Sequence, residues 1–165
     1  MRIRDPDKSL PGEVVDLGFR MAYRVAHRML RAYWKVRRPH THGALVAVWC
    51  DDEILLVKNS YRRQYTLPGG YVRRGESALQ AGTRELNEEV GLVVSADDVT
   101  IVYNDTKLFE ERDDEVTIVE IEIDARPEFQ VDNREIVWAG WKTQREVLAM
   151  PIVPHLRDYL ERRSN

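Results

Sequence analysis

Between Gly69 and Leu92 the chain reads Gly-Gly-Tyr-Val-Arg-Arg-Gly-Glu-Ser-Ala-Leu-Gln-Ala-Gly-Thr-Arg-Glu-Leu-Asn-Glu-Glu-Val-Gly-Leu. Few architectures accommodate such a run. A glycine-rich loop from Gly69 to Gly75 feeds a short helix. Ser77 can cap the free N–H groups at its start. Gly91 can end it, because glycine takes positive φ without a steric penalty. At about 100° per residue, Leu79, Leu86 and Val90 fall together and form the expected core face. Glu85, Glu88 and Glu89 stand at i, i+3 and i+4 and share a different face. Ala78 and Ala81 lie one and two turns earlier on that second face, where small side chains are expected to leave open space.

Three unpaired glutamates on one face repel each other and weaken a helix. A divalent cation removes that cost, and hard carboxylate oxygens suit Mg²⁺ or Mn²⁺. By themselves the glutamates are better read as a solvated acidic face, which is the commoner meaning of a charge run. The glycines and Arg84 in the same register favour a binding site.

The stretch resembles the Nudix box, G-x5-E-x7-R-E-U-x-E-E-x-G-U with U aliphatic. Gly70, Glu76, Arg84, Glu85, Leu86, Glu88, Glu89, Gly91 and Leu92 occupy every specified position. Weaker resemblance extends from Gly43 to Val147. It implies an α+β architecture, the Nudix fold: a mixed β-sheet sandwiched by helices, with the box as loop–helix–loop. It also implies cleavage of a diphosphate joined to another moiety, usually in a nucleoside diphosphate derivative, with Mg²⁺ or Mn²⁺ as cofactor. Glu85, Glu88 and Glu89 are the expected metal ligands, with a main-chain carbonyl of the Gly69–Gly70 turn. Glu85 or Glu135 is the expected base. Glu135 is placed only by the family's habit of setting a glutamate before the last strand. Gly70 and a Glu76–Arg84 salt bridge are expected to support the site. The resemblance leaves a second reading, a nucleotide-sensing module without catalysis.

Other features bound the remainder. The 165 residues suffice for one domain with a real core. A net charge of −3 gives no case for sequence-specific nucleic-acid binding. The lone Cys50 excludes an internal disulfide and lies in an apolar run, as a buried structural thiol does. No apolar run reaches membrane-spanning length, and the N-terminus lacks a secretory h-region. A cytosolic protein is expected.

Charge divides the chain. Residues 1–40 carry ten Lys or Arg against four acids, a net of +6, so the remainder carries −9. A helix is expected from Gly12 to Arg37, stopped by Pro39. It forms an extension, residues 1–40, on a domain of residues 41–165. Arg20, Arg24, Arg28, Arg31 and Lys35 form a narrow basic stripe. Apolar residues from Val14 to Tyr33 fill most of the remaining circumference, more than one docking surface needs. The helix is therefore expected to meet two apolar surfaces, its own domain and another. The other is a second subunit in a homodimer, an anionic membrane surface along residues 12–37, or a nucleic-acid strand. A solvated basic face over an ordinary packed helix is an equal alternative.

Further along, Gly43–Cys50 and Glu53–Asn59 read as a hairpin around Asp51-Asp52, preceded by His40 and His42 in a loop. Residues 60–66 are basic and aromatic, and they lead into the glycine-rich turn. Arg62, Arg63 and Arg73 are candidate phosphate ligands, with Arg74 beside them. Tyr65, or Tyr61, is a candidate for stacking on a base. Strands are expected at Val99–Tyr103 and Thr106–Phe109, then an acidic turn at Glu110–Glu115. Val116–Asp124 alternates as a half-buried strand with Glu120 and Glu122 toward solvent. A loop spans 126–133, a last strand follows Glu135, and helices cover Gln144–Ala149 and Pro154–Arg163. His155 is expected to be structural.

Overall fold

The computed structural model describes residues 10–128, 131 and 134–163, with the side chains of residues 10–14 excepted. The expected loop at 126–133 therefore lies partly outside the described residues. The elements run α1 (Leu10–Arg37), β1 (His40–Cys50), β2 (Glu53–Asn59), β3 (Gly69–Tyr71), α2 (Ala78–Val90), β4 (Thr100–Phe109), β5 (Arg112–Glu122), β6 (Ile136–Thr143), α3 (Gln144–Leu148) and α4 (Pro154–Arg163).

The sheet has the order β4-β5-β1-β2-β6, and β3 pairs with β1 off that path. β1 is the hub. It runs parallel to β5 along its length, pairs antiparallel with β3 through Gly43–Leu45, and turns through Asp51-Asp52 into β2. The central strands are apolar on both faces because both are covered. One face, including Ala47, Trp49, Ile54, Leu56 and Ile118, packs on Val147, Leu156 and Leu160 of α3 and α4. The other, including Val46, Val48, Leu55, Val57 and Val119, packs on Leu86 and Val90 of α2. Burying each such leucine contributes about 1.5–3 kcal/mol. This is the mixed sheet between helices that the sequence led us to expect.

α2 begins and ends where its sequence dictates. Ser77 accepts the Gln80 amide and Gln80 returns a bond to the Ser77 amide, a reciprocal capping box; Gly91 closes the helix with φ of 75°.

Several local expectations are corrected. His40 and His42 lie inside β1, which starts three residues earlier than expected because parallel pairing with Asp113–Glu115 extends it. β4 is one continuous strand, and the turn after it is only Glu110-Glu111, both with positive φ. Ala81 is fully buried and leaves no open space. Glu120 accepts the Tyr159 hydroxyl and lies 3.4 Å from Arg163 instead of standing in solvent.

α1 meets its domain differently from expectation. Its inward stripe is polar and aromatic. Asp16 bonds Arg134 at 3.0 Å, Arg24 donates to the Ser60 carbonyl at 3.0 Å, and His27 meets Glu110 at 3.2 Å. Trp34, the buried apolar member of this stripe, lies over the Arg112 guanidinium at 4.3 Å. The apolar arc faces outward.

Candidate active site

The β1–β3 pairing carries the glycine turn across the C-terminal half of α2, beside Arg84, Glu85 and Glu89. Gly69 has φ of 149°, and a Cβ there would lie 2.2 Å from the Ala44 carbonyl oxygen. Only glycine lets the backbone approach β1 this closely. The Gly69 amide donates to Glu89 Oε2 at 2.9 Å. A Cβ at Gly70 would stand 2.5 Å from the Glu85 carboxyl carbon, so the absent side chain is the space the Glu85 carboxylate uses.

Arg84 organises the carboxylates. It grips Glu76 with two bonds, 2.8 Å from Nε and 3.1 Å from Nη2, and reaches Glu85 at 2.5 Å and Glu88 at 3.3 Å from Nη1. Its Nη2 also donates to the Tyr71 carbonyl at 3.2 Å, which ties α2 to β3. The Arg84 bonds, followed by the Arg73 amide, hold the Glu76 carboxyl down at about 2.

One cavity of about 340 Å³ opens beside this cluster. Glu85, Glu88, Glu89 and Glu135 all line it, with Gly69 and Gly70. Glu135 comes from the residue before β6 and accepts the Tyr61 hydroxyl at 3.1 Å. Burial holds the Tyr61 phenol above its ordinary range, so it stays a neutral donor. Arg62 and Arg73 also line the cavity. Arg62 is tied to Glu110 at 3.0 Å, and Arg73 approaches Glu88 at 3.7 Å from a mostly exposed position. Two expected members stand elsewhere. Arg63 is exposed and outside the lining. Tyr65 packs edge-on against Trp138 at 5.2 Å, where the chain is pinned to Pro151 by its backbone.

The cavity also contains residues that sequence reasoning did not select: Tyr71, Phe109, Arg112, Asp114 and His155. Arg112 and Asp114 are buried and bonded to each other at 3.0 Å. The alternation of Arg112, Asp114 and Val116 is a strand signal that reading the acidic run as a turn concealed. His155, taken as structural, bonds the Tyr103 hydroxyl at 3.1 Å and also reaches the cavity. Burial lowers its pKa against the opposing pull of Asp114.

As placed, Glu85 and Glu88 are turned onto Arg84 and Glu89 onto the Gly69 amide. Among the described residues, no three His, Cys, Asp or Glu side chains are grouped to hold a cation. The donor set nevertheless fits a hard divalent ion: it is carboxylate oxygen throughout, carried on one helix face beside the side-chain-free Gly70.

A fold of this topology with this cluster at the glycine turn defines a class. A family model described as the NUDIX domain matches residues 39–162, and the chain belongs to the Nudix family. Among curated proteins it is similar to an ADP-ribose pyrophosphatase of Methanocaldococcus jannaschii, 39% identical over 57 residues, which is 33% of this chain and 34% of that protein. The chain spans between 34% and 43% of the length of the curated relatives it matches. Among solved structures it resembles a MutT protein from Methanosarcina mazei Go1, with a TM-score of 0.65 at 21% identity over 76% of this chain and 93% of that one. It also resembles a bifunctional NMN adenylyltransferase/ADP ribose pyrophosphatase from Francisella tularensis, complexed with AMP and a Mn ion. That likeness has a TM-score of 0.64 at 16% identity over 81% of this chain and 46% of the other.

Proposed function

We propose that this chain hydrolyses a phosphoanhydride bond in a nucleoside diphosphate linked to another moiety, with Mg²⁺ or Mn²⁺. One observation carries the reading: four glutamates, the glycine turn and Arg62, Arg73 and Arg112 line a single cavity. An acidic face that served only solubility would have no reason to share a pocket with the buried Arg112 and the half-buried Arg62. The Mn ion in the Francisella tularensis neighbour and the pyrophosphatase relative point the same way.

Glu85, Glu88 and Glu89, with the Gly69 carbonyl, would hold the cation. When bound, it neutralises charge on the non-bridging oxygens and lowers the pKa of a bound water. Every other role falls to the chain. Arg62 and Arg73 meet the substrate's phosphate oxygens. Tyr71 and Phe109 offer aromatic surface to a base. Glu135, held by the neutral Tyr61 hydroxyl, accepts the proton of the attacking water as oxygen adds to phosphorus and the bridging P–O bond breaks. Glu85 is engaged by the Arg84 cation and takes the ligand role. The products are two phosphate-bearing fragments. Residues 41–165 form the hydrolase unit in this reading, and residues 1–40 are an extension.

The test is phosphate release from a panel of ADP-ribose, nucleoside triphosphates, dinucleoside polyphosphates and nucleotide sugars, coupled to pyrophosphatase or phosphatase. Metal-dependent turnover that collapses in Glu89→Gln is expected. Saturable nucleotide binding without turnover across the panel would replace this reading with a sensing module.

A further inference from the structure

The outward face of α1 has no partner in the described structure, and its chemistry selects one. Among the described residues, nine of the fourteen exposed large hydrophobic side chains belong to this helix. Projected at 100° per residue, Asp16, Tyr23, His27 and Trp34 point toward the domain. Met21, Val25, Met29, Ala32 and Val36 then point directly away from it. Met29 is 70% exposed and Val36 81%. Those residues cover about four turns, roughly 24 Å of helix. Water around so long an apolar strip is costly, and a helix that served only its own domain would carry polar residues there.

The flank of this strip is cationic. Arg24, Arg28, Arg31 and Lys35 run along it, and Arg28, Arg31 and Lys35 line an open groove of about 280 Å³ with Ala32 and a single acid, Glu111. Between residues 15 and 38 the one acid of the helix is Asp16, which is buried against Arg134. The strip is therefore apolar at its centre and strongly positive along one side, with no acid between residues 17 and 37 of the helix to answer it.

We propose that α1 lies in the headgroup region of an anionic phospholipid bilayer, with Met21, Val25, Met29 and Val36 in the acyl boundary and Arg28, Arg31 and Lys35 on lipid phosphates. An amphipathic basic helix partitions in this way, in the plane of the membrane. No helix among the described residues is long and apolar enough to cross one. The charge argument separates lipid from a second copy of the chain. Antiparallel pairing of two α1 helices about a twofold axis puts both basic flanks on the same side, where they repel; parallel pairing puts them on opposite sides, and neither then finds an acid on the partner helix between residues 17 and 37. It also separates lipid from a polyanion in water, which would leave the apolar strip wet. The inference does not depend on the proposed hydrolysis, because none of these side chains lines the cavity beside Glu85.

The test uses the full chain in co-sedimentation with vesicles of phosphatidylcholine alone and of phosphatidylcholine mixed with phosphatidylglycerol. Two variants accompany it: Val25→Glu with Met29→Glu, and Arg28→Gln with Arg31→Gln and Lys35→Gln. Circular dichroism melts check that both fold. Binding to the anionic vesicles only, weakened by salt, is expected. The triple variant should lose on the order of a hundredfold in partition, about fivefold per cation, and the double variant should lose binding altogether. Equal partition onto both vesicles, no partition onto either, or anionic binding untouched by the double variant would each overturn the proposal. A fall in sedimenting mass of the double variant without any vesicle binding would show instead that two copies cover the strip. If a variant fails to fold, the lipid and salt dependence of the unaltered chain still decides.

Discussion

Adjacent glycines at the turn before α2 serve different ends, and alanine at each should separate them. At Gly69 an added Cβ would sit 2.2 Å from the Ala44 oxygen and 2.8 Å from the Leu45 Cα. Both atoms are backbone of β1, which β5 clamps along its length. The chain can relieve the contact only by pulling β3 off β1, losing hydrogen bonds worth about 1 kcal/mol each. The φ of 149° adds strain of about 1–3 kcal/mol for a residue with a side chain. Gly69→Ala should therefore cost about 3–5 kcal/mol and lower the melting temperature by about 10–15 °C for a domain of this size. At Gly70 the three atoms nearest the Cβ would all belong to the Glu85 carboxyl, at 2.5, 2.6 and 2.9 Å. A glutamate end can swing away, so stability should change by less than about 1 kcal/mol. The carboxylate must still move by about 1 Å, a displacement that costs about a hundredfold in rate when the group is part of the chemistry. Thermal melts and kcat on the best substrate measure both. A Gly70→Ala protein with unaltered kcat would refute the role given to Glu85, and an unshifted melt for Gly69→Ala would refute the β1–β3 clash.

Three further outcomes are expected. Glu89→Gln keeps an oxygen for the Gly69 amide, so it should melt with the unaltered protein while kcat falls at least about a hundredfold; calorimetry with Mn²⁺ should show weakened metal binding. Arg84→Ala should cost about 1–2 kcal/mol in urea unfolding without metal, because Glu76, Glu85 and Glu88 lose their shared cation, and MgCl₂ should narrow that gap. For Glu110, burial pushes the carboxyl up, but the His27 bond and then the Arg62 charge outweigh it and hold it at about 2. Its stabilisation is therefore complete above its unfolded value near 4.5 and is lost as pH falls toward 2. Glu110→Gln should cost on the order of 2 kcal/mol at neutral pH, and the gap should shrink below pH 4.5; urea midpoints across that range check it.

The site was legible in proportion to how local its contacts are. The α2 caps at Ser77 and Gly91, the shared face of Glu85, Glu88 and Glu89, and the Glu76–Arg84 pair all join residues within one short stretch. There helical geometry alone sets the neighbours. The far side of the cavity escaped the sequence for the opposite reason. Arg112 and Asp114 look like part of an acidic turn until β1 is seen beside them, since parallel pairing needs two segments some seventy residues apart. His155 reaches the cavity only because α4 packs across the face of the sheet. Arg63 and Tyr65 drew attention by standing near the glycine turn in the chain, but strand and loop geometry turns them elsewhere.

The N-terminal helix shows the same division. Its length, its stop at Pro39 and its apolar and basic stripes are properties of a 3.6-residue period and were readable from the residues alone. Which stripe faces the domain was not, because hydrophobicity argued for the apolar arc. The domain instead offers Glu110, Arg112 and the Ser60 carbonyl, groups that demand charged and aromatic partners once buried, and Arg134, which answers the buried Asp16 of the helix. Local periodicity and capping thus determined the elements and the box chemistry from sequence. Only the tertiary structure decided which faces meet, because that depends on polar groups brought together by contacts distant in the chain.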